Sequence, residues 1–330
     1  TYKFMSGSTY GKLFKITTWG ESHGSGVGVV VEGCPAGLVL KESDIQKDLD
    51  RRRTGQSKVT TTRKEDDKIQ IMSGLFKGKT TGTPISMRVD NKDADSSKYE
   101  LIKNLYRPGH ADYTYDMKYG FRDYRGGGRS SARETLGRVA AGSIAKKLLA
   151  RDKITVTGFT RQIGHHIAKT LNFKEIEKNI VRCPDSKMAE DMVKAIMQAR
   201  KNGDSLGGIV EVIARGVPAG LGEPVFDRLD ADLAKAVMSI PAVKGVEIGA
   251  GFQTASMKGS ECNDVFVMKN KKMTTKTNNA GGILGGISNG MDIIVKLVVK
   301  PTSSINKAQD TITQKGGNSK IRVEGRHDPC

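Results

Sequence analysis

Long apolar runs, paired cysteines, aromatic side chains and acidic residues are all scarce in this chain, and each shortage excludes something. No apolar stretch approaches the roughly 18–20 residues that a bilayer-crossing helix needs, so no membrane partner is expected. No charged leader followed by a short apolar core opens the chain, so no secretory signal is expected either. The four cysteines, Cys34, Cys183, Cys262 and Cys330, stand far apart with no CxxC spacing. That argues against a zinc site, any other metal site and a disulfide framework. It predicts free thiols in a reducing, cytoplasmic compartment, with a plastid not excluded. There is no linker rich in proline or serine and no internal repeat, and 330 residues allow one or two domains.

The shortage of acids leaves a formal net charge of +18. A nucleic-acid partner would suit a basic chain. Yet the basic residues are scattered, the longest Arg/Lys run is Arg51–Arg53, and no basic motif has interleaved aromatics, so no nucleic-acid partner is expected. The other reading is an active site that gathers anions. Lys271, Lys272 and Lys276 read as plain solvated charge.

What is present in abundance is glycine, 39 residues of it. The most informative stretch runs from Arg107 to Arg138, with six arginines, His110 and the triplet Gly126–Gly128. Ser131 and Glu134 read as a capping box. Apolar residues then recur at Ala132, Leu136, Val139, Ala140, Ile144 and Leu148, the period of a helix. Backbone N–H groups and the positive end of the helix dipole make such a loop suited to anions. Arg129 and Arg133 add planar forks for phosphate or carboxylate.

Elsewhere Glu42–Arg53, residues 187–202 and Leu229–Met238 read as helices. Lys12–Thr18, Gly26–Val31, Gly207–Gly216 and Asp292–Val299 read as strands. They do not alternate as a βαβ series, and no GxGxxG opens a helix after a strand, so a dinucleotide-binding fold is disfavoured. The pattern predicts an α+β protein.

Seven blocks, in order, carry a resemblance. They are Trp19-Gly-Glu-Ser-His-Gly24, Arg107-Pro-Gly-His-Ala-Asp112, Gly128-Arg-Ser-Ser-Ala-Arg-Glu134, Gly220-Leu-Gly-Glu-Pro224, Gly281-Gly-Ile-Leu-Gly-Gly286, Lys300-Pro-Thr-Ser-Ser304 and Gly325-Arg-His-Asp-Pro329. Together they resemble the chorismate synthase family over nearly the whole chain. The resemblance implies one compact domain over 1–330, with helices sandwiched between two antiparallel sheets, assembled as a homotetramer. It implies a lyase that converts 5-enolpyruvylshikimate 3-phosphate to chorismate and phosphate by 1,4-anti elimination, the last shikimate-pathway step, with reduced FMN. Some members also reduce flavin with NADPH, and that alternative stays open. The family continues for about another helix beyond Pro329, and Thr1–Phe4 are set aside as a remnant.

The resemblance also implies roles. His23 and His110 would be acids, His23 toward the reduced flavin and His110 toward the departing phosphate. Imidazole suits such work, with an ordinary pKa of about 6.5. Asp328 would accept the flavin N5 proton. Arg52, Lys58, Arg107, Arg133 and Arg326 would face substrate, with Lys58 standing where many relatives carry arginine. Arg129, Ser130, Ser131, Pro241, Ala242, Gly285, Lys300, Pro301, Thr302, Ser303, Ser304 and Arg326 would hold FMN. Pro241 stands where some relatives carry asparagine. His165, His166 and His327 are assigned no role.

Overall fold

Valines at 27, 29 and 31 alternate along a β-branched run, and all three side chains are buried. That period of two makes the run a strand with one face on a core. The computed structural model describes residues 7–61, 65–92, 97–323 and 328–330. Contacts divide the chain into two units. The first gathers Thr1–Leu148, Ala199–Ser205 and Thr302–Pro329, and the second gathers Leu149–Gln198 and Leu206–Pro301, with Cys330.

In chain order the elements up to the boundary are β1 (Thr9–Tyr10), β2 (Lys15–Gly20), β3 (Gly26–Glu32), α1 (Glu42–Arg52), β4 (Gln70–Ile71), β5 (Leu75–Phe76), β6 (Lys79–Thr80), β7 (Ile85–Asp90), α2 (Ser97–Glu100), α3 (Asp112–Tyr119) and α4 (Thr135–Arg151). The first unit's main sheet has the order β1-β2-β3-β7-β4, with every pairing antiparallel. The strand expected over Lys12–Thr18 starts later, at Lys15, and runs to Gly20. Residues 11–14 instead form the turn that brings β1 back onto β2, opened by Gly11 at φ 96°.

The core of this unit joins the inward residues of β3 and β7 to Ile45 and Leu49 of α1 and to Leu136, Ala140 and Ile144 of α4. Each such buried aliphatic side chain contributes roughly 1.5–3 kcal/mol. Gly137 lets α4 approach the sheet: a Cβ there would lie 3.0 Å from the Gly28 carbonyl oxygen and 3.1 Å from Thr18 Cγ2. The start of α4 is thus fixed against β2 and β3. That end differs from the capping box read in the sequence. A short 3-10 turn, Ala132–Glu134, precedes the α-helix, and the Ser131 hydroxyl accepts from the Arg133 N–H. The Glu134 carboxylate turns the other way, one helical turn on, and accepts from Arg138 Nε at 2.9 Å.

The second unit holds β8 (Thr155–Ile163), β9 (His166–Ile167), α5 (Ser186–Lys201, whose last turn belongs to the first unit), β10 (Gly208–Arg215), α6 (Leu229–Met238), β11 (Val243–Ile248), α7 (Gly259–Cys262), β12 (Phe266–Lys269), β13 (Lys272–Thr275), β14 (Ile283–Leu284), β15 (Ile287–Ser288) and β16 (Ile293–Val299). Its sheet, in the order β11-β16-β10-β8-β9, is also antiparallel throughout. The class is therefore α+β, as the order of elements predicts. The final hairpin, β17 (Gln309–Ile312) and β18 (Asn318–Ile321), returns to the first unit. There Leu105 bridges Thr313, and Tyr106 N–H donates to Ile312 O at 3.2 Å. Among the described residues no helix is long and apolar enough to cross a membrane.

Candidate functional site

Two histidines far apart in sequence meet on one loop. His23 lies on the connection between β2 and β3, with Ser22 Oγ 3.0 Å from its Nδ1. The Tyr99 ring stands edge-on to it, centroids 5.4 Å apart. Gly126, Gly127 and Gly128 all have left-handed φ, at 64°, 90° and 53°. A Cβ on Gly126 would stand 2.3 Å from His23 Cε1, and one on Gly127 would stand 2.7 Å from His110 Cε1. Neighbouring glycines therefore form the floor beneath the two imidazoles. Only a residue without a side chain accepts both that backbone conformation and that approach.

His110 is flanked by a buried ion pair. Arg107 donates to Asp112 three times: backbone N to Oδ2 at 3.0 Å, Nε to Oδ2 at 2.8 Å and Nη2 to Oδ1 at 2.7 Å. Arg122 Nε lies 3.9 Å from the same Oδ1. Burial opposes ionisation of Asp112, but the Arg107 fork, and then His110, hold its carboxyl far below the usual carboxylate range. Arg107 was expected to face substrate. In the structure it is buried and its fork is engaged by Asp112.

The substrate-facing role inferred for Arg52 and Arg133 falls on a second buried cluster. Asp67, with no side-chain exposure, accepts from Arg133 Nη1 at 2.6 Å and from Arg52 Nη1 at 3.0 Å. Arg133 Nε donates to Asn91 Oδ1 at 2.8 Å. The Asn91 amide in turn donates to the carbonyls of Glu21 and Gly24, which flank His23. The cluster is so tied to the His23 loop. Among the described residues Arg133 Nη2 is buried without a hydrogen-bond partner, with Glu65 at 4.0 Å. Desolvation lowers the pKa of Arg52, against the attraction of Asp67.

Asp328 joins this cluster from the far end of the chain. Its Oδ1 accepts from the Thr61 N–H at 2.7 Å. Burial pushes its carboxyl up, against the Thr61 bond and the charge of Arg52. Lys58 is exposed, and its carbonyl accepts from Arg200 Nη1 at 2.9 Å. Arg326 and His327 lie outside the described residues.

The residues expected to hold cofactor separate by unit. Arg129 spends its fork on β2, donating to Gly20 O at 3.0 Å, Thr18 O at 3.0 Å and Thr18 Oγ1 at 2.7 Å. It ties the glycine loop to the sheet. Ser130 Oγ donates to Gly127 O at 2.6 Å. Ser303 Oγ donates to Gly109 O at 2.8 Å, which brings the Thr302–Ser304 segment to the His110 loop; Ser304 is buried. Pro241, Ala242, Gly285, Lys300 and Pro301 belong to the second unit. There Lys300 N–H donates to Ala242 O at 2.9 Å. Desolvation and then the nearby Lys244 lower the Lys300 pKa. Gly285 turns the β14–β15 hairpin at φ 59°, with open space where a Cβ would stand. His165 and His166 sit at the β8–β9 turn. Among the described residues no cluster of three or more His, Cys, Asp or Glu could hold a metal.

Sequence reasoning missed Asp67, Asn91, Asp112 and the floor role of Gly126 and Gly127. Asp112 had a legible signal, an acid five residues after an arginine across a Pro-Gly turn. Asp67 had none, since it stands in a charged run that reads as a solvated surface.

Known proteins resemble this chain in sequence and in fold. The sequence profile of the chorismate synthase family matches residues 14–330. The chain is similar to chorismate synthase of Methanosarcina mazei, 60% identical over 330 residues that cover 98% of this chain and 90% of that protein. It is 59% identical over 326 residues to chorismate synthase of Chloroflexus aurantiacus, again covering 98% and 90%. A crystal structure of chorismate synthase matches with a TM-score of 0.75 at 35% identity, over 88% of this chain and 85% of that one. With a family match over nearly its full length, the same fold and such close relatives, the chain belongs to the chorismate synthase family of lyases.

Proposed function

We propose that this chain performs the last shikimate-pathway step, the 1,4-anti elimination of phosphate from 5-enolpyruvylshikimate 3-phosphate, with reduced FMN as cofactor. The observation that carries the reading is the pair His23 and His110 on consecutive glycines, with a buried Arg133 N–H that has no partner among the described residues. The substrate carries a phosphate and two carboxylates, and an orphaned guanidinium N–H suits such an oxyanion.

The residues present also fit a phosphate-bearing cofactor. Lys300 is desolvated next to a second cation, and an anion there relieves the repulsion. Lys300, Ala242 and Gly285 of the second unit are groups that would hold FMN. Bound, the reduced flavin would supply an electron-rich ring and a basic centre for the elimination. The C–O bond to phosphate breaks and the C6 proton leaves, so no electrons are gained or lost overall.

The chain's own residues supply protons and position. His23 and His110 act as the two acids. Asp328 accepts a proton at its carboxylate, and the upward push of burial brings it nearer the working pH of a base. Arg52 and Arg133 orient the anionic substrate, held by Asp67.

Anaerobic phosphate release with photoreduced FMN tests the reading. The parent chain is expected to turn over, and Asp328→Asn and His110→Ala each to lose roughly 10²–10⁴-fold, the reach of one positioned proton-transfer group. Absence of phosphate release by the parent, beside a relative that releases it under the same conditions, sinks the proposal. Replacing photoreduction by NADPH asks whether the chain reduces its own flavin. Light scattering on the eluted protein tests the homotetramer.

A further inference from the structure

Asp112 is the one buried residue of α3, and its carboxylate serves two partners. Oδ2 accepts two N–H donations from Arg107, from the backbone N and from Nε. Oδ1 accepts one, from Arg107 Nη2 at 2.7 Å, and lies 3.1 Å from His110 Nδ1. The Nδ1 contact is within reach but off the hydrogen-bond axis, so among the described residues Nδ1 is buried without an aligned partner. A small ring rotation aligns it, as is common when a site tightens around substrate. The opposite edge of the ring faces the Gly127 backbone, where a Cβ would lie 2.7 Å from Cε1 and 3.2 Å from Nε2.

We propose that Asp112 is a positioning residue that fixes the tautomer of His110, holding the proton on Nδ1 and leaving Nε2, over Gly127, as the edge that carries the transferred proton. The inference rests on the reading of His110 as an acid. An imidazolium that gives up its Nε2 proton ends in the tautomer that the carboxylate favours, so donation needs no rearrangement. The other charged or titratable groups around the pair are Arg107 and Arg122 on Asp112, His23 on the adjacent glycine, and Tyr99 beneath Arg107.

The geometry dictates what Asp112→Asn does. An amide has one oxygen. Placed at Oδ2 it keeps two Arg107 bonds, and placed at Oδ1 it keeps one. The oxygen therefore takes the Oδ2 position, and the NH2 faces His110 Nδ1. That nitrogen must then accept, which drives the ring proton to Nε2 and inverts the tautomer.

The test is ¹⁵N NMR of histidine-labelled protein well above the ordinary imidazole pKa of about 6.5. The intact chain is expected to show a protonated Nδ1 and a bare Nε2 at His110, a result that needs no variant to fold. Asp112→Asn is expected to exchange the two signals. In turnover it lowers kcat toward the roughly 10²–10⁴-fold reach of a lost acid, with KM little changed, and adds nothing further in a His110→Ala background. A bare Nδ1 in the intact chain, or losses that simply add in the double variant, overturns the proposal. His110→Ala assayed alone reports separately on the acid role, since full turnover there removes that role while the tautomer measurement still decides what Asp112 does.

Discussion

Replacing Gly127 by alanine isolates what the glycine floor contributes to catalysis. Two costs arise. Gly127 sits at φ 90°, where an L-residue loses roughly 1–2 kcal/mol. The added Cβ also falls 2.7 Å from His110 Cε1, and since ordinary contact begins at 3.4 Å the ring must retreat by about 0.7 Å. A misplacement of about 1 Å at a reacting group is worth on the order of 10²-fold in rate. Gly127→Ala is therefore expected to lose roughly 10–100-fold in kcat, with a fall in Tm of only a few degrees (about 2–4 °C per kcal/mol). Gly120 supplies the control. Its φ is 83°, and a Cβ there meets nothing within 4 Å. Gly120→Ala carries the backbone cost without the collision and should match the Tm change while keeping turnover. Phosphate release and thermal melts of the two variants, run side by side, settle the matter. Near-parental kcat in Gly127→Ala, or an equal loss in Gly120→Ala, would refute the floor argument.

Asp67→Asn leaves Arg52 and Arg133 facing each other without the carboxylate that both contact, and breaking a buried ionic cluster costs roughly 3–5 kcal/mol; a urea midpoint unchanged from the parent would contradict this. Asp185 accepts from the Met188 N–H at 3.1 Å and from Lys169 and Thr170, bonds that hold its carboxyl down at about 2, from an ordinary 3.8, against the opposing effect of burial. A depressed folded-state pKa stabilises above the unfolded value, so about 2 kcal/mol is expected to disappear as pH falls from 4 toward 2; Asp185→Asn should flatten that part of a stability–pH curve measured by urea unfolding.

How far the sequence reaches depends on what kind of signal each element carries. Helix α1, predicted over Glu42–Arg53, spans Glu42–Arg52, and α6 has the predicted bounds, because Ile45, Leu49, Leu229 and Leu233 repeat at helical spacing. Strands β3, β10 and β16 are likewise legible from β-branched runs. Helix α3 is not, since its one buried residue is Asp112 and it has no apolar face to read. The same holds for the site. His23 and His110 are legible as motif residues, but that they share a floor depends on two left-handed glycines whose neighbours come from distant loops. Arg129 makes contacts that the sequence does not show. Its fork reads as an anion ligand, while the carbonyls of β2, invisible in a linear pattern, take it first.

The bond from the Thr61 N–H to Asp328 spans 267 positions. At equilibrium such a separation is cheap, because closure entropy grows only with the logarithm of loop length. In time it is not. Synthesis proceeds from the N-terminus at roughly 5–20 residues per second. His23, His110 and the arginines at 52, 107 and 133 emerge long before Asp328. A nascent chain can hence emerge through all of its first sheet while Thr61 still lacks this partner. Distance along the chain thus sets an order of assembly, in which the Thr61–Asp328 bond forms only after the first sheet has been made.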